Sequence, residues 1–475
     1  MRRLFFLLVI LCLVCPFVFG QKKSKKDKKK YQRPRIVAPE NLDRNEPAPE
    51  TDPQTLADVK WFEVFRDEKL QALIREALTY NYDLRESVAR IDEARASLGI
   101  TKSDQYPKVG ASADVVTERR SRDGALQVPE PARQTRTFGS ILLNLLNFEI
   151  DVWGRLRKAT EAARAELLAS EEARKAVITT LVGDVATAYF NLRELDVELE
   201  IARRTLTSRQ ETLRIVTRRQ EYGVSNMLER RQAEELVFDA REVIPDIERA
   251  IQQQENFISY LTGKPPQSIE RGQELTAQEV PPEIPAGLVS DLIERRPDIR
   301  AAEQGLIAAN ARIDVAKKAY FPRISITGFL GFESAQLSTL FNPSRWVWGF
   351  IPQVTQPIFT GGRLKNDVRL TQAQEQLLLV NYERTIQNAF REVSDSLIAY
   401  RKFKEIRIER EQLVFTLQDR TRLAYLRYNG GVASLLEALD ADRELFDAEL
   451  SLARVRRDDL VSIVFVYKSL GGGWQ

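Results

Sequence analysis

Residues 181–206 read LVGDVATAYFNLRELDVELEIARRTL, and the spacing of their apolar side chains decides the fold. Val185, Ala188, Leu192, Leu195, Leu199, Ala202 and Leu206 follow one another in steps of three and four, with Arg193, Glu194, Arg203 and Arg204 on the intervening faces. Such steps keep one apolar seam along one side of a helix, the pattern of a coiled coil. From Arg155 to Tyr222 there is no proline and, apart from Gly183, no interior glycine, so nothing local stops the helix. About 68 residues at 1.5 Å each make a rod roughly 100 Å long. A rod of that length belongs to a wall or a bundle, not to a compact globule.

The rod occurs twice. Gly154-Arg155-Leu156 returns as Gly362-Arg363-Leu364, and Gly223-Val224-Ser225 returns as Gly431-Val432-Ala433 at the same offset of 208. Phe238-Asp239-Ala240 returns as Phe446-Asp447-Ala448, and Asp83-Leu84-Arg85 as Asp298-Ile299-Arg300. Order and spacing hold across nearly the whole chain, which marks an internal duplication. The second rod covers Arg363–Asn429 with Phe390, Val393, Leu397 and Tyr400 on its seam. Shorter helices flank each rod, over about 68–105 and 226–262 in the first copy and 288–320 and 434–470 in the second, so that two short helices end to end match one long one.

Between Pro107 and Gly154, and again between Pro322 and Gly361, the period changes from helical to alternating. Ala111, Ala113 and Val115 alternate with Ser112 and Asp114; Ile324 and Ile326 alternate with Ser325 and Thr327; Trp346, Trp348 and Phe350 open a last strand. Strands of about ten residues with one apolar face and terminal aromatics fit an outer-membrane barrel. Polar stretches over 118–137 and 334–344 read as the loops between hairpin arms. Four strands cannot close a barrel, and an open edge cannot sit in lipid, so at least two chains must contribute; eight, twelve and sixteen strands all satisfy that demand.

Composition excludes several function classes. There is no His, and the only cysteines are Cys12 and Cys15, inside an apolar stretch Leu4–Phe19 that follows Arg2-Arg3. That stretch, closed by Val18-Phe19-Gly20, reads as a signal peptide over 1–20. Without His or a mature Cys, and without a phosphate-binding glycine loop, no catalytic, cofactor or metal site is expected. Residues 1–30 carry a net +8, leaving −5 for the rest of a chain whose total is +3, so the basic pI gives no nucleic-acid role. Residues 21–58 form a basic, proline-rich tether; 59–270 and 288–475 are the two repeats, joined by a linker over 271–287.

Three stretches bear a family resemblance: Arg295-Arg296-Pro297-Asp298-Ile299-Arg300-Ala301-Ala302-Glu303, Phe148-Glu149-Ile150-Asp151-Val152-Trp153-Gly154-Arg155-Leu156, and Pro357-Ile358-Phe359-Thr360-Gly361-Gly362-Arg363. They resemble signatures of TolC-like outer-membrane efflux factors of the resistance-nodulation-division type, and the likeness covers about residues 55–473. The resemblance implies a mainly α fold with a membrane β-barrel: a homotrimer with a twelve-stranded barrel and a twelve-helix periplasmic tunnel. It implies a passive conduit for drugs and toxic small molecules, held in outer-membrane lipid. Its partners would be a periplasmic adaptor (membrane fusion protein) and an inner-membrane pump. Type I protein secretion through the same architecture is the alternative, and a non-channel coiled-coil scaffold a third reading. Two departures stand out: Val14 precedes Cys15 where lipoprotein members have a small residue, and Ser225 and Ala433 stand where some members carry aspartate.

The turns at Gly223, Val224, Ser225 and at Gly430, Gly431, Val432, Ser434 join long to short helices, with glycine ending a helix and Ser225 and Ser434 placed to cap the next. Under the resemblance these turns become the periplasmic tip and the adaptor-docking surface. Arg219, Tyr222, Arg427 and Tyr428 lie within a turn of them and could clamp an aperture with Asp440 or Asp442; a solvated helix face is the plainer reading. Trp153, Trp346 and Trp348 suit either a membrane-interface belt or core packing. Mass spectrometry of the mature chain should find Gln21 first and no acyl group; a diacylglyceryl adduct on Cys15 would overturn the reading of the leader.

Overall fold

The computed structural model describes residues 33–34, 60–121, 131, 133–278 and 289–474. The expected signal peptide and nearly all of the tether lie outside them. Helices α1 (Trp61–Val64), α2 (Glu68–Tyr80) and α3 (Tyr82–Ser103) lead into strands β1 (Lys108–Arg119) and β2 (Thr135–Ile150). The first long helix, α4 (Arg155–Glu221), turns back into α5 (Met227–Leu261). The second repeat runs α6 (Val289–Arg295), α7 (Pro297–Lys318), β3 (Arg323–Ser334), β4 (Trp346–Thr355), α8 (Arg363–Asn429) and α9 (Leu435–Ser469). Both rods are 67 residues long, and both short returning helices are 35.

α4 packs along α3 and α7 near the sheet and along α5 and α9 beyond, and α8 packs likewise on α7 and α9. On α4 the seam residues Val185, Ala188, Leu192 and Ala202 are buried, and Phe390, Val393, Leu397 and Tyr400 are buried on α8. Two residues expected on open faces, Arg193 and Glu194, are buried as well, and Glu198 joins them. Arg193 donates to the Gln273 carbonyl (3.0 Å), and Glu198 accepts from Arg454 of α9 at 2.7 Å. Burial, then the neighbouring Glu198 carboxylate, push the Glu194 carboxyl upward from its ordinary range.

The helix expected over 68–105 is broken at Asn81, and the corresponding break in the second repeat is at Arg296. Each break is a joint. Asn81 caps α3 by accepting from the Leu84 N–H (3.0 Å) and donates its amide to the Leu261 carbonyl at the end of α5 (3.0 Å). Arg296 donates to the Ser469 carbonyl at the end of α9 (3.0 Å), while Asp298 and Glu392 hold the same guanidinium at 2.7 Å each. Carbonyls left open at a helix C-terminus are thus satisfied by the side chain that begins the next helix. α5 meets α3, and α9 meets α7, end to end, so each pair runs beside one rod. Gly263 and Gly471 close these joints with φ of 70° and 84°.

The middle of α4 is tied to both ends of its repeat through Asp67. This carboxylate caps α2 and accepts from Tyr189 Oη (2.8 Å), the Gln273 N–H (2.8 Å) and Gln278 Nε2 (2.9 Å). Burial pushes the Asp67 carboxyl up, but these hydrogen bonds and that from the Lys69 N–H outweigh it and hold the group below its usual range. Residues 271–278 of the expected linker therefore lie packed on α4.

The joint glycines give a comparison. A Cβ on Gly263 would come within 2.5 Å of the Tyr80 carbonyl oxygen, whereas Gly223, also at positive φ, has nothing within 4 Å. Gly223→Ala should cost about 1 kcal/mol for the left-handed backbone alone, and Gly263→Ala about 1–3 kcal/mol more from the clash. Thermal unfolding followed by circular dichroism in detergent checks this; equal shifts for the two variants would show that the joint relaxes freely.

Candidate functional site

The four strands form one antiparallel sheet in the order β1-β2-β3-β4, and the register sorts its two faces. Val109, Ala111, Ala113 and Val115 stand beside Leu145, Leu143, Ile141 and Gly139. Ile141 and Leu143 pair in turn with Phe332 and Leu330, which pair with Trp346 and Trp348. This face is apolar over these positions and turns polar at the Thr117–Thr137 pair. The opposite face is mixed: Ser112, Asp114 and Glu118, Ser140 and Asn144, and Ser325, Thr327 and Glu333 stand among Val116, Phe138, Leu142, Phe329 and Ile351. Asn144 donates to Ser112 Oγ across it at 3.0 Å. Exposure along β1, β2 and β4 is mostly greater on the apolar side, as expected where a sheet curves with its mixed face concave.

One irregularity keeps the apolar face intact. In β2 the alternation slips after Leu145, and continuing it would turn Asn147 and Glu149 outward. A bulge sets Leu146 and Asn147 against Thr327 alone, so that Phe148 pairs with Ile326 and Ile150 with Ile324. Glu149 then turns inward, where Arg155 holds it through Nε (3.0 Å) and Nη2 (2.7 Å). Asp151 accepts from the N–H groups of Leu156 (3.2 Å) and Arg157 (2.9 Å) and caps α4. Trp153 stacks on Phe321 with ring centroids 5.1 Å apart and donates to the Pro322 carbonyl (2.8 Å), so it braces the strand-to-helix junction. Trp346 and Trp348 are 52 % and 69 % exposed on the apolar face.

At the far end of the rods, Gly223 and Gly431 take φ of 73° and 72°. The Val224 N–H returns to the Arg219 carbonyl (2.8 Å) and the Val432 N–H to the Arg427 carbonyl (3.0 Å), so the two tips are built alike. Ser434 caps α9, as expected, but α5 is capped by Asn226, not by Ser225; the Asn226 carboxamide accepts from the Glu229 N–H at 2.9 Å. Gly430 ends α8 at an ordinary φ of −76°. Tyr222, Val224 and Leu228 project from one tip and Val432 and Leu436 from the other, all exposed.

The expected clamp is arranged differently within the chain. Arg219 lies over the Tyr428 ring at 4.8 Å, Arg427 stands 3.7 Å from Glu437, and Asp440 pairs with Arg443 on its own helix at 2.7 Å. Asp442 meets neither Arg219 nor Arg427. It accepts from Arg209 at 2.7 Å, in a pair whose side chains are only 2 % and 11 % exposed. Arg209 also donates to the Leu236 carbonyl (3.1 Å) and lies over the Phe446 ring at 4.9 Å, so one guanidinium ties α4, α5 and α9 together. Sequence reasoning missed Arg209 because nothing local separates it from the solvated arginines around it.

A sheet with an outward apolar face, continued by hairpins of this length, has close counterparts. The family model described as outer membrane efflux protein matches residues 73–264 and again 288–472. The chain belongs to the outer membrane efflux protein family. It is 37 % identical over 424 residues to the probable efflux pump outer membrane protein TtgC of Pseudomonas putida, covering 88 % of this chain and 86 % of that one. It is 35 % identical over 446 residues to the cation efflux system protein CusC of Escherichia coli, covering 93 % and 95 %. The crystal structure of the MtrE outer membrane channel of Neisseria gonorrhoeae superposes with a TM-score of 0.84 at 31 % identity, covering 94 % of this chain and 98 % of that one. Within this outer membrane efflux protein, the three signature stretches are mechanical parts: the Arg296 joint, the bulge and cap before α4, and the turn at Gly361 and Gly362 before α8.

Removing one partner of the Arg209–Asp442 pair leaves a buried charge. Arg209→Met should destabilise the protein by about 3–5 kcal/mol, and adding Asp442→Leu should restore most of that loss. Denaturant unfolding of the purified protein gives both values, and a double variant no better than the single one would mean the cost is packing, not charge.

Proposed function

We propose that this chain is the outer-membrane subunit of a tripartite efflux pump, a passive conduit for small molecules from the periplasm to the exterior. The observation that carries the reading is the sheet. Its outward face is apolar from Val109 to Trp348, while β1 and β4 each leave one edge unpaired. Backbone groups at such an edge cost several kcal/mol each in hydrocarbon, so the edges must pair between copies. Three copies give twelve strands, and a homotrimer is the assembly proposed. At the junction below the sheet, Ile358, Phe359 and Tyr106 are 96 %, 91 % and 59 % exposed in the single chain, a surface suited to the neighbouring copy.

The two tips, equivalent by duplication and each presenting an exposed valine and leucine, are the proposed contact for a periplasmic adaptor that leads to an inner-membrane pump. Relatives are named for toluene and antibiotic efflux and for cation efflux. For this chain the proposal is small organic compounds, with energy for transport entering elsewhere and no reaction catalysed along the conduit. Protein secretion through the same architecture is disfavoured by the Arg295-Arg296-Pro297-Asp298 stretch.

The test is Gly431→Val. A side chain there meets open space, so the substitution strains only the turn, by about 1 kcal/mol or more, roughly 100 Å of helix from the barrel. Trimer abundance in the outer membrane should stay near that of the unaltered protein, while adaptor cross-linking and drug resistance fall. Normal cross-linking and resistance would remove the tip as the docking site, and loss of the trimer would make the turn a folding element.

A further inference from the structure

We propose that Arg119 and Arg133, at the outer end of the β1–β2 hairpin, bind the phosphate groups of the glycolipid that forms the outer leaflet of the outer membrane. β1 begins after α3 and β2 ends before α4, so the hairpin end near residues 119–135 is the one farthest from the helices. In a channel whose helices lie in the periplasm, that end faces the exterior.

The outward face changes character in sequence toward this end. Val109, Ala111, Ala113 and Val115 are apolar. The hollow at Gly139, beside Val115, is filled by Leu337 from the β3–β4 loop, where an added Cβ would come within 2.5 Å of that leucine. Phe332, Phe341 and Trp346 form an edge-to-face aromatic cluster nearby, with centroid spacings of 5.8 and 5.7 Å. Aromatic clusters of this kind mark the boundary of the hydrocarbon. One step further out, Thr117 and Thr137 join hydroxyls at 3.1 Å, and the next outward pair is Arg119 and Thr135. The ladder continues with the Arg120 N–H on the Gln134 carbonyl (2.9 Å), which sets Arg133 opposite Ser121, again on the outward side. From Val115 to Arg119 is about 14 Å along the strand, or roughly 10 Å along the membrane normal at the usual barrel tilt. A long, flexible arginine there spans the layer of lipid headgroups.

Charge is partitioned between the faces. Arg120 pairs with Glu118 at 2.7 Å on the inner side, and Arg136 stands opposite Glu118 in the register. Arg119 donates to the Gln134 carboxamide at 3.3 Å. Both Arg119 and Arg133 are exposed, and among the described residues neither has an ion-pair partner. Two exposed guanidinium groups without an ion-pair partner among the described residues, directly above a lipid-facing apolar band, match phosphate in charge and in planar, bidentate geometry. A lipid headgroup is the occupant favoured over a free anion, because the arginines continue the face that lipid already covers.

The experiment uses the full-length protein in detergent with rough-type lipopolysaccharide, intact or enzymatically dephosphorylated, and measures affinity by thermophoresis. Intact glycolipid should bind about tenfold more weakly to Arg119→Gln/Arg133→Gln than to the unaltered protein. Dephosphorylated glycolipid should bind the unaltered protein as weakly as the double variant binds the intact form, and Arg136→Gln, on the inner face, should leave affinity unchanged. Equal affinity for the double variant would overturn the proposal, as would equal loss in Arg136→Gln. Displacement by millimolar inorganic phosphate would reassign the arginines to a free anion. None of these outcomes bears on efflux, since the proposal rests on membrane orientation and not on what the conduit carries.

Discussion

Every backbone N–H and C=O that enters hydrocarbon must be paired inside the protein, and most of this structure follows from how one chain meets that demand with only four strands. β2 and β3 are paired on both sides; β1 and β4 are paired on one side each. The two remaining edges belong to strands that run antiparallel, and in the proposed trimer they pair between copies, so closure there belongs to the assembly and not to the chain. The same demand explains the bulge in β2. A strand whose side chains alternate strictly would carry Asn147 and Glu149 to the lipid, and the bulge exchanges one ladder position for an unbroken apolar face. It also leaves Glu149 on the side where Arg155 can hold it, which couples the end of the strand to the first turn of α4.

Below the sheet the constraint is length. A 67-residue helix offers a continuous surface that no 35-residue partner can cover. The chain solves this twice by butting a second short helix against the first. The joint needs a side chain that both starts one helix and finishes another. Asn81 does so with a neutral amide, Arg296 with a guanidinium that also gathers Asp298 and Glu392. Each solution needs a glycine at the end of the incoming helix, because the backbone must reverse into positive φ where Tyr80 or Arg296 leaves little room for a side chain.

The duplication, the two rods, the alternating strands and the turn glycines could all be read from spacing, because each is a local rule repeated many times. The ends of α4 and α8 fall within a residue of the positions set by Gly154, Gly223 and Gly362. What could not be read are the contacts in which one residue answers to a distant one. Asn81 looks like the interior of a helix until Leu261 is placed beside it. Ser225 and Asn226 are both able caps; Asn226 takes the Glu229 N–H while the Ser225 hydroxyl bonds the Glu229 carboxylate. Glu194, Glu198 and Arg209 have the composition of a solvated face. Their burial depends on α9 arriving from the other repeat, more than 200 residues away in sequence.

Those buried charges show where the two repeats have ceased to be equivalent. At the offset of 208, Arg209 corresponds to Leu417, which sits in an apolar cluster with Val414, Ala448 and Leu452. Asp442 corresponds to Glu234, which pairs with Arg231 on its own helix at 2.5 Å. At the level of Leu417 the second rod therefore meets its returning helix through apolar contact, which is non-directional, while Thr421 bonds the Ala441 carbonyl (3.0 Å) and Arg407 pairs with Asp459 (2.8 Å) on either side of that cluster. Arg209 instead joins the first repeat to the second through a pair that is nearly dry, and such a pair cannot be drawn apart without exposing or stranding a charge. Apolar packing of the tip, from Val216 through Leu435 and Leu439, surrounds the same point. Parting the α8–α9 hairpin from α4 would strand the Arg209 charge and would also break the Glu198–Arg454 and Arg204–Glu449 pairs further along the same seam. Near the tip the asymmetry is set by two side chains, Arg209 and Asp442, in a frame whose backbone is otherwise duplicated.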